Sequence, residues 1–513
     1  MFLHYIGVLL HFIQIFRKMT IFTLLFYIGL AALAVTLIMT LVYKVQKSWL
    51  MTYLQNFTGI LFLFSGWVKA VDPLGTAFKM EDYFAEFQAT FADTSIGFIA
   101  PLFPLLSEYS TAFAIFMIIF EIILGIMLII GDRPKLTSWL FFLLVVFFTF
   151  LTGFTFMTGY VPMDQNFFSF SAWGEYKATN MRVTDCGCFG DFIKLDPRIS
   201  FYKDLFLLIP SIYFLFRWKD MHQLFSSKSR NVTLVVSTLF LVLYCVYNFY
   251  WNEPHVDFRP FRNGANIAEI KKSENEASNA VKVIAMKMKN KNTGELKEFS
   301  YEEYLKNLSA LTDEYETVEQ IKTEPAIKET KISHFDITDF DGNEKTDFYL
   351  TNPEAHLMVP VFKAEYKAIS SKRMVADSIF NIDTLAIAGF KDSFNIVKSF
   401  KEVQQKEEEY YDIIWDKDFI AIFVNVIKPL KEAAAKDKVS MSVVISGIDE
   451  EKAKLLAQET GLDVEYLTAD EKLLKTIMRS NPGVILWKNG VLLHKWHYKK
   501  LPVWSAIKSE YLK

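Results

Sequence analysis

The chain has 513 residues, 52 % of them hydrophobic and 16 % aromatic, with a mean hydropathy of +0.20, which is too apolar for a wholly water-soluble protein and divides it between lipid and water. A net charge of -3 and a pI near 6.3 leave no basic surface for a nucleic acid backbone, so that partner class is excluded. Three cysteines are too few for a disulfide-stapled scaffold.

Crossing roughly 30 Å of hydrocarbon takes about 20 mostly apolar residues in helix. Segments 21–43, 53–69, 110–131, 137–160 and 231–250 meet that requirement, and 202–218 meets it at its centre despite Lys203, Asp204 and Pro210. Six spans are therefore expected, with membrane lipid as an obligatory partner. The leading residues MFLHYIGVLLHFIQIFRK are too short to span, lack a small-residue cleavage site and end in Arg17 and Lys18 against the charge pattern. A start at Met19 or Met51 and a genuine extra segment both stay open.

Lys44 and Lys47, then Arg133 and Lys135, then Arg217, Lys219, Lys228 and Arg230 fall in alternate loops, which positive-inside bias assigns to the cytoplasm. Counting spans then puts loop 161–200 and everything after Tyr250 on the other side. Cys245 lies in LVLYCVYNFY and reads as a small buried hydrophobe.

Past Tyr250 the chain turns polar, broken by Pro254, Pro260 and Gly264. ISHFDITDFDGNEKTDFYL alternates apolar and polar residues around an Asp341–Gly342 turn, and HLMVPVF is a compact apolar run in which Pro360 argues against an unbroken central strand. KSFKEVQQKEEEYY reads as a solvated helix face. From Asp418 the pattern predicts a helix containing Pro429, the strand SMSVVISG, a helix capped by Asp449 and closed by Gly461, and DVEYL. A helix around EKLLKTIMRS, the strand GVILW, an Asn489–Gly490 hairpin, the strand VLLHKW and a helix opened by Pro502 complete an α/β domain. His494 and His497 read as surface positions on that last strand.

The loop RVTDCGCFGDF, residues 182–192, holds Cys186 and Cys188 one glycine apart. A Cys-x-Cys bridge departs from relaxed geometry, and a strained bridge is the better oxidant. Gly187 supplies the torsions such a ring needs, while Asp185 and Asp191 would raise the thiol pKa values. A metal needs more ligands, and no histidine lies between Val161 and Ser200. Redox exchange, a structural disulfide or idle thiols, and a metal borrowing other ligands all stay open, and no metal site is assigned.

Lys69 and Glu121 are the intramembrane polar candidates, because ionisable groups in a span are costly and face the bundle interior. Lys69 is either functional or an interfacial anchor beside Trp67. Glu121 is a carboxyl able to protonate, pair across the bundle or pass protons. At about 1.5 Å rise per residue the two differ in depth by something like ten or more ångströms, so a direct pair would need snorkelling or tilt.

FTGILFLFSGWVKAVDPLGTAFKMEDYF, FEIILGIMLIIG and TDCGCFGDF together resemble the DoxX and MauE families of four-helix membrane proteins, over roughly 48–225. The resemblance implies redox chemistry at a bacterial inner membrane: maturation of a disulfide-rich periplasmic enzyme for MauE, electron delivery to quinone for DoxX. Its matching positions here are Ser65, Lys69, Glu121, Cys186 and Cys188. RSNPGVILWKNGVLLHKW is similar to the thioredoxin-like fold of redoxin type, over roughly 331–513, with Pro482 as the cis-proline beside a peptide groove. Where that fold carries Cys-x-x-Cys this chain has VFKAEYKAI, and no cysteine follows Cys245.

The expected architecture is a multi-pass α-helical membrane bundle followed by a soluble thioredoxin-like α/β domain in the periplasm. Its divisions fall at 1–47, an extension with one span; 48–225, the DoxX/MauE-like unit; 226–250, the last span; 251–330, a linker and subdomain; and 331–513. The expected function is thiol–disulfide or electron exchange through Cys186 and Cys188 with an extracytoplasmic thiol protein, the soluble domain docking the client. The alternative is a non-enzymatic membrane-anchored scaffold. A transporter is disfavoured, because the spans show no inverted repeat.

Overall fold

The computed structural model describes residues 20–183, 186–386 and 394–512. The MFLHYIGVLLHFIQIFRK segment and Asp185 lie outside the described residues. The chain divides at Asn263/Gly264 into two compact units.

In the first unit all six expected spans are helices: α1 (Ile21–Leu41), α2 (Trp49–Val71), α4 (Ser110–Ile130), α5 (Pro134–Thr158), α6 (Pro197–Arg217) and α7 (Ser227–Tyr250). Between α2 and α4 lies α3 (Pro73–Ala92), which leaves α2 at a bend of 95°. The break is local chemistry: Pro73 opens α3, and Asp72 caps it by accepting from the Gly75 amide at 3.1 Å.

Five of the six helices are apolar enough to span on their own, whereas α2 reaches that standard only together with α3, because it buries Gln55, Asn56, Thr58, Ser65 and Lys69. Each such group needs a partner when water is excluded. Asn56 donates to Thr36 Oγ1 on α1 at 3.0 Å, and Gln55 donates to the Leu128 carbonyl on α4 at 3.1 Å. Past α7 the buried Arg259 is held by Glu253 and Asp257, both at 2.7 Å.

Helices α2 and α4 approach through glycine. A methyl placed on Gly59 would sit 2.9 Å from the Gly125 carbonyl oxygen, and one on Gly125 would sit 2.8 Å from that of Gly59. Backbone meets backbone there, so no side chain can move aside.

The second unit contains a six-stranded sheet in the order β1-β11-β10-β5-β8-β9. Its strands are β1 (Ala265–Asn266), β5 (His356–Val361), β8 (Ser440–Ile445), β9 (Glu465–Thr468), β10 (Gly483–Lys488) and β11 (Val491–His497). β5, β8 and β9 run parallel, β10 runs antiparallel to β5, and β11 turns back antiparallel to β10. Helix α8 (Ile267–Asn279) follows β1, α9 (Thr346–Thr351) precedes β5, and α10 over 417–435, α11 (Glu450–Thr460), α12 (Glu471–Ile477) and α13 (Trp504–Tyr511) complete the layers. The core joins Leu357, Val359, Val443, Ile445, Val484 and Leu486 to Phe419, Phe423 and Leu456. A separate sheet, β3-β2-β4, is built from β2 (Val283–Asn290), β3 (Leu296–Ser300) and β4 (Tyr315–Lys322). β6 (Tyr366–Ala386) and β7 (Phe394–Trp415) pair as a two-stranded ribbon.

Several expectations hold to the residue. Asp449 accepts from the Lys452 amide at 2.9 Å, Gly461 closes α11 at φ 60°, and Asn489 and Gly490 turn the hairpin at φ 51° and 72°. Pro429 is accommodated by a π-helical stretch, Phe423–Ile427, just before it.

Others need correction. Pro360 does sit in a central strand; the β10 ladder stops at Met358, so β5 is paired on one side only where the N–H is missing. The alternation around Asp341–Gly342 makes only isolated bridges, from Thr338 to Glu344 and to Thr468 of β9, and the TDFYLT stretch then forms α9. KSFKEVQQKEEEYY is not a helix but part of β7. A charge-rich run exposes itself equally in a solvated helix and in a free ribbon, so composition does not separate the two. His497 is buried and His494 half-buried, the latter against Trp496 and Tyr511.

The glycine contact yields a test. Gly125→Val is expected to destabilise the detergent-solubilised chain by about 1–3 kcal/mol through overpacking. Gly174→Ala, with nothing within 4 Å of the added methyl, should stay near wild type. Thermal melting followed by intrinsic fluorescence measures both.

Candidate functional site

The cysteine turn is held by three kinds of contact. Arg182 anchors its start, pairing with Glu86 of α3 at 2.7 Å and donating to the Gln165 carbonyl. Gly187 (φ 61°) and Gly190 (φ 51°) take left-handed conformations, and the Gly190 amide donates to the Gly187 carbonyl at 3.1 Å. Phe189 is buried in the bundle core, and its ring meets Phe64 of α2 at 6.3 Å. Ser65, one of the residues carried by the family resemblance, donates its hydroxyl to the Cys188 carbonyl at 2.7 Å.

Cys186 and Cys188 are in the thiol form. Cys186 meets the Tyr83 hydroxyl of α3, which also lies 3.0 Å from Thr155 Oγ1 of α5. Cys188 lies over the interior, in the field of Lys203, Asp204, Lys69 and Glu121. Burial pushes its thiol pKa up; the two lysines pull it back and the two carboxylates oppose them. Asp191 pairs with Lys194 at 3.2 Å, and the Cys188 thiol is kept neutral chiefly by burial.

Lys69 and Glu121 form a direct buried ion pair, with side chains 8 % and 4 % exposed. The expected depth difference is overturned, and so is the interfacial-anchor reading of Lys69. The reason is α3. Ser110 at the start of α4 donates to Glu81 of α3 at 2.8 Å, and Phe113 meets Phe84. About three turns of α4 are spent beside α3 before α4 reaches the end of α2, which brings Glu121 level with Lys69. Lys69 also lies 5.5 Å from the centre of the Phe148 ring, while Trp67 stacks on Tyr244 at 4.9 Å.

A second buried pair was not singled out from the sequence. Lys203 and Asp204 of α6 pair at 2.5 Å, and Asp204 also accepts from Thr152 of α5 at 3.0 Å. The signal was present as adjacent opposite charges inside an apolar segment, but it reads first as a loss of hydropathy. Pro482 belongs to the second unit, at the head of β10, where the Asn481–Pro482 peptide is cis. Asn481 bridges to the end of β5, donating to the Lys363 carbonyl at 2.7 Å. Among the described residues no group of three His, Cys, Asp or Glu side chains could hold a metal ion.

Breaking a buried pair strands the survivor, whereas removing both charges does not. Lys69→Met alone is expected to cost about 3–5 kcal/mol of stability, and Lys69→Met with Glu121→Leu to recover most of it. Additive losses in thermal melts of the two single variants and the double would count against the pairing.

Comparison with known proteins adds one match. Residues 47–162 match the family model of methylamine utilisation protein MauE. That stretch spans α2 to α5 and contains Ser65, Lys69 and Glu121; Cys186 and Cys188 lie beyond it. No curated protein and no solved structure matches the chain. The chain is thus a multi-pass membrane protein with a segment similar to MauE.

Proposed function

We propose that this chain is a redox-associated membrane protein in which Cys186 and Cys188 exchange a disulfide with a thiol protein outside the cytoplasm. The observation that carries the reading is the built turn: two left-handed glycines, the Ser65 bond to the Cys188 carbonyl, and two lysine–carboxylate pairs beneath Cys188. The similarity to MauE over the helices that frame this turn supports it.

The exchange balances as one disulfide for another. A thiolate of the reduced partner attacks one sulfur of the Cys186–Cys188 bridge, forming a mixed disulfide and releasing the second sulfur as a thiolate. The partner's other thiolate then attacks the mixed disulfide, so two electrons pass inward and the partner's two protons end on Cys186 and Cys188. Burial favours the protonated form at Cys188, which makes this sulfur a slow nucleophile and the poorer leaving group of the two-step exchange.

The second unit serves as the client-docking module. Its strand order, three parallel strands followed by two antiparallel ones, with Pro482 ahead of β10, supports a thioredoxin-like reading. The ribbon leaves the sheet at Tyr366, where such a fold would place its cysteines. The unit contributes no cysteine, and the C-terminal side is taken as periplasmic from the loop charges. The scaffold alternative is favoured by the same lack of cysteine.

Mass-tagged maleimide applied to membranes before and after reduction separates the two readings. Exchange requires that Cys186 and Cys188 change state together and that partner thiols shift in a Cys186→Ser, Cys188→Ser variant; a pair fixed in one state sinks it. In Cys186→Ser alone, alkylation of Cys188 should keep climbing above pH 9, because a raised thiol pKa withholds the thiolate through the neutral range.

A further inference from the structure

At the end of the bundle away from the cysteine turn, an open surface depression of about 540 Å³ lies between the start of α5 and the end of α6. It is lined by Arg133, Pro134, Lys135, Leu136, Trp139 and Trp218. Arg133, Lys135, Leu136 and Trp139 are exposed there. The walls are therefore apolar and aromatic, while the rim is basic.

The surrounding charge is one-sided. The three loops at this end, 42–48, 131–136 and 217–230, carry eight Lys or Arg and only two acids, Asp132 and Asp220. Both acids are already engaged: Asp132 accepts from Arg230 at 3.1 Å and lies 3.6 Å from Arg133, and Asp220 pairs with Arg217 at 2.5 Å. Arg133 donates once to Asn231 at 2.9 Å, which leaves donors of its five-donor fork over. Lys219 lies 5.6 Å from the centre of the Trp218 ring, and Lys47 donates to the Lys219 carbonyl at 3.1 Å, bringing two further ammonium groups to the same corner.

We propose that this depression binds an anionic phospholipid, its phosphate held by Arg133 and Lys135 and the start of its acyl chain lying along Leu136, Trp139 and Trp218. A free anion would leave the tryptophan and leucine walls without a role, and a neutral lipid would leave the basic rim uncompensated. Tryptophan and basic side chains where an apolar helix meets its charged loop are the arrangement that takes a headgroup at its glycerol level. The site fixes the corner between α5 and α6, the two helices that supply Thr152, Lys203 and Asp204 to the interior.

The test uses the full chain in detergent micelles, with bound lipid counted by native mass spectrometry after titration with dioleoylphosphatidylglycerol, dioleoylphosphatidylcholine or inorganic phosphate. The expected result is at least fivefold stronger retention of phosphatidylglycerol than of phosphatidylcholine. Arg133→Ala with Lys135→Ala should abolish that preference, and Trp139→Ala should lower retention of both lipids without removing a charge. Lys44→Ala with Lys228→Ala, which removes the same charge from loops at the same end, should leave the preference standing. Equal loss in the two double variants would show diffuse attraction and overturn the site. Competition by millimolar phosphate as effective as by lipid would assign a free anion and overturn the lipid.

Discussion

The contact of α2 with α4 through Gly59 and Gly125 fixes the interior of the bundle. Because backbone touches backbone, the two helices have one depth relative to each other, and that depth sets Lys69 against Glu121. The same approach brings Ser65 under the cysteine turn, where its hydroxyl takes the Cys188 carbonyl. The turn thus rests on helices whose spacing cannot be adjusted by rotating a side chain. Four charges inside an apolar bundle are tolerable because they are paired, and Cys188 is the sulfur that lies in their field.

The spans were legible because an apolar run of span length has few other uses, and the caps and turns of the α/β unit were legible because Asp449, Gly461, Asn489 and Gly490 act within a few residues of themselves. The relative depth of Lys69 and Glu121 was not, since counting along each helix assumes that both start at one surface. Asp72 and Pro73 end α2 and open α3, which lies between α2 and α4, and the origin of α4 shifts outward. That break was visible as a capped proline; its consequence for a residue fifty positions on was not. Lys203 and Asp204 failed to stand out for a related reason: a hydropathy window counts two charges as two penalties, whereas the folded chain sets them against each other and Thr152.

The cysteine turn is divided in its surroundings. The Tyr83 hydroxyl of α3 lies in the field of both sulfurs but bonds Cys186, and the charged interior acts on Cys188, so the two sulfurs have different partners although one glycine separates them. Inequality of this kind distinguishes the sulfur attacked first from the one that leaves. The thiol pKa of Cys188 is raised, chiefly by burial, and the charges acting on it come from α2, α4 and α6, far from the turn in sequence.

The ribbon in the second unit begins and ends at one place. Tyr366 pairs with Trp415, the rings of the two meet at 5.4 Å, and the Asp416 amide donates to the Glu365 carbonyl at 2.9 Å. A chain crossing directly from Glu365 to Asp416 would therefore have almost no distance to cover. Topologically the sheet is already closed at that point, which makes the fifty residues between an appendage: length, sequence and reach can vary there without any strand of the sheet having to move. Strand β5, buried along its whole length, ends at Val361 just before this ribbon, so an insertion made there would leave the centre of the sheet in place.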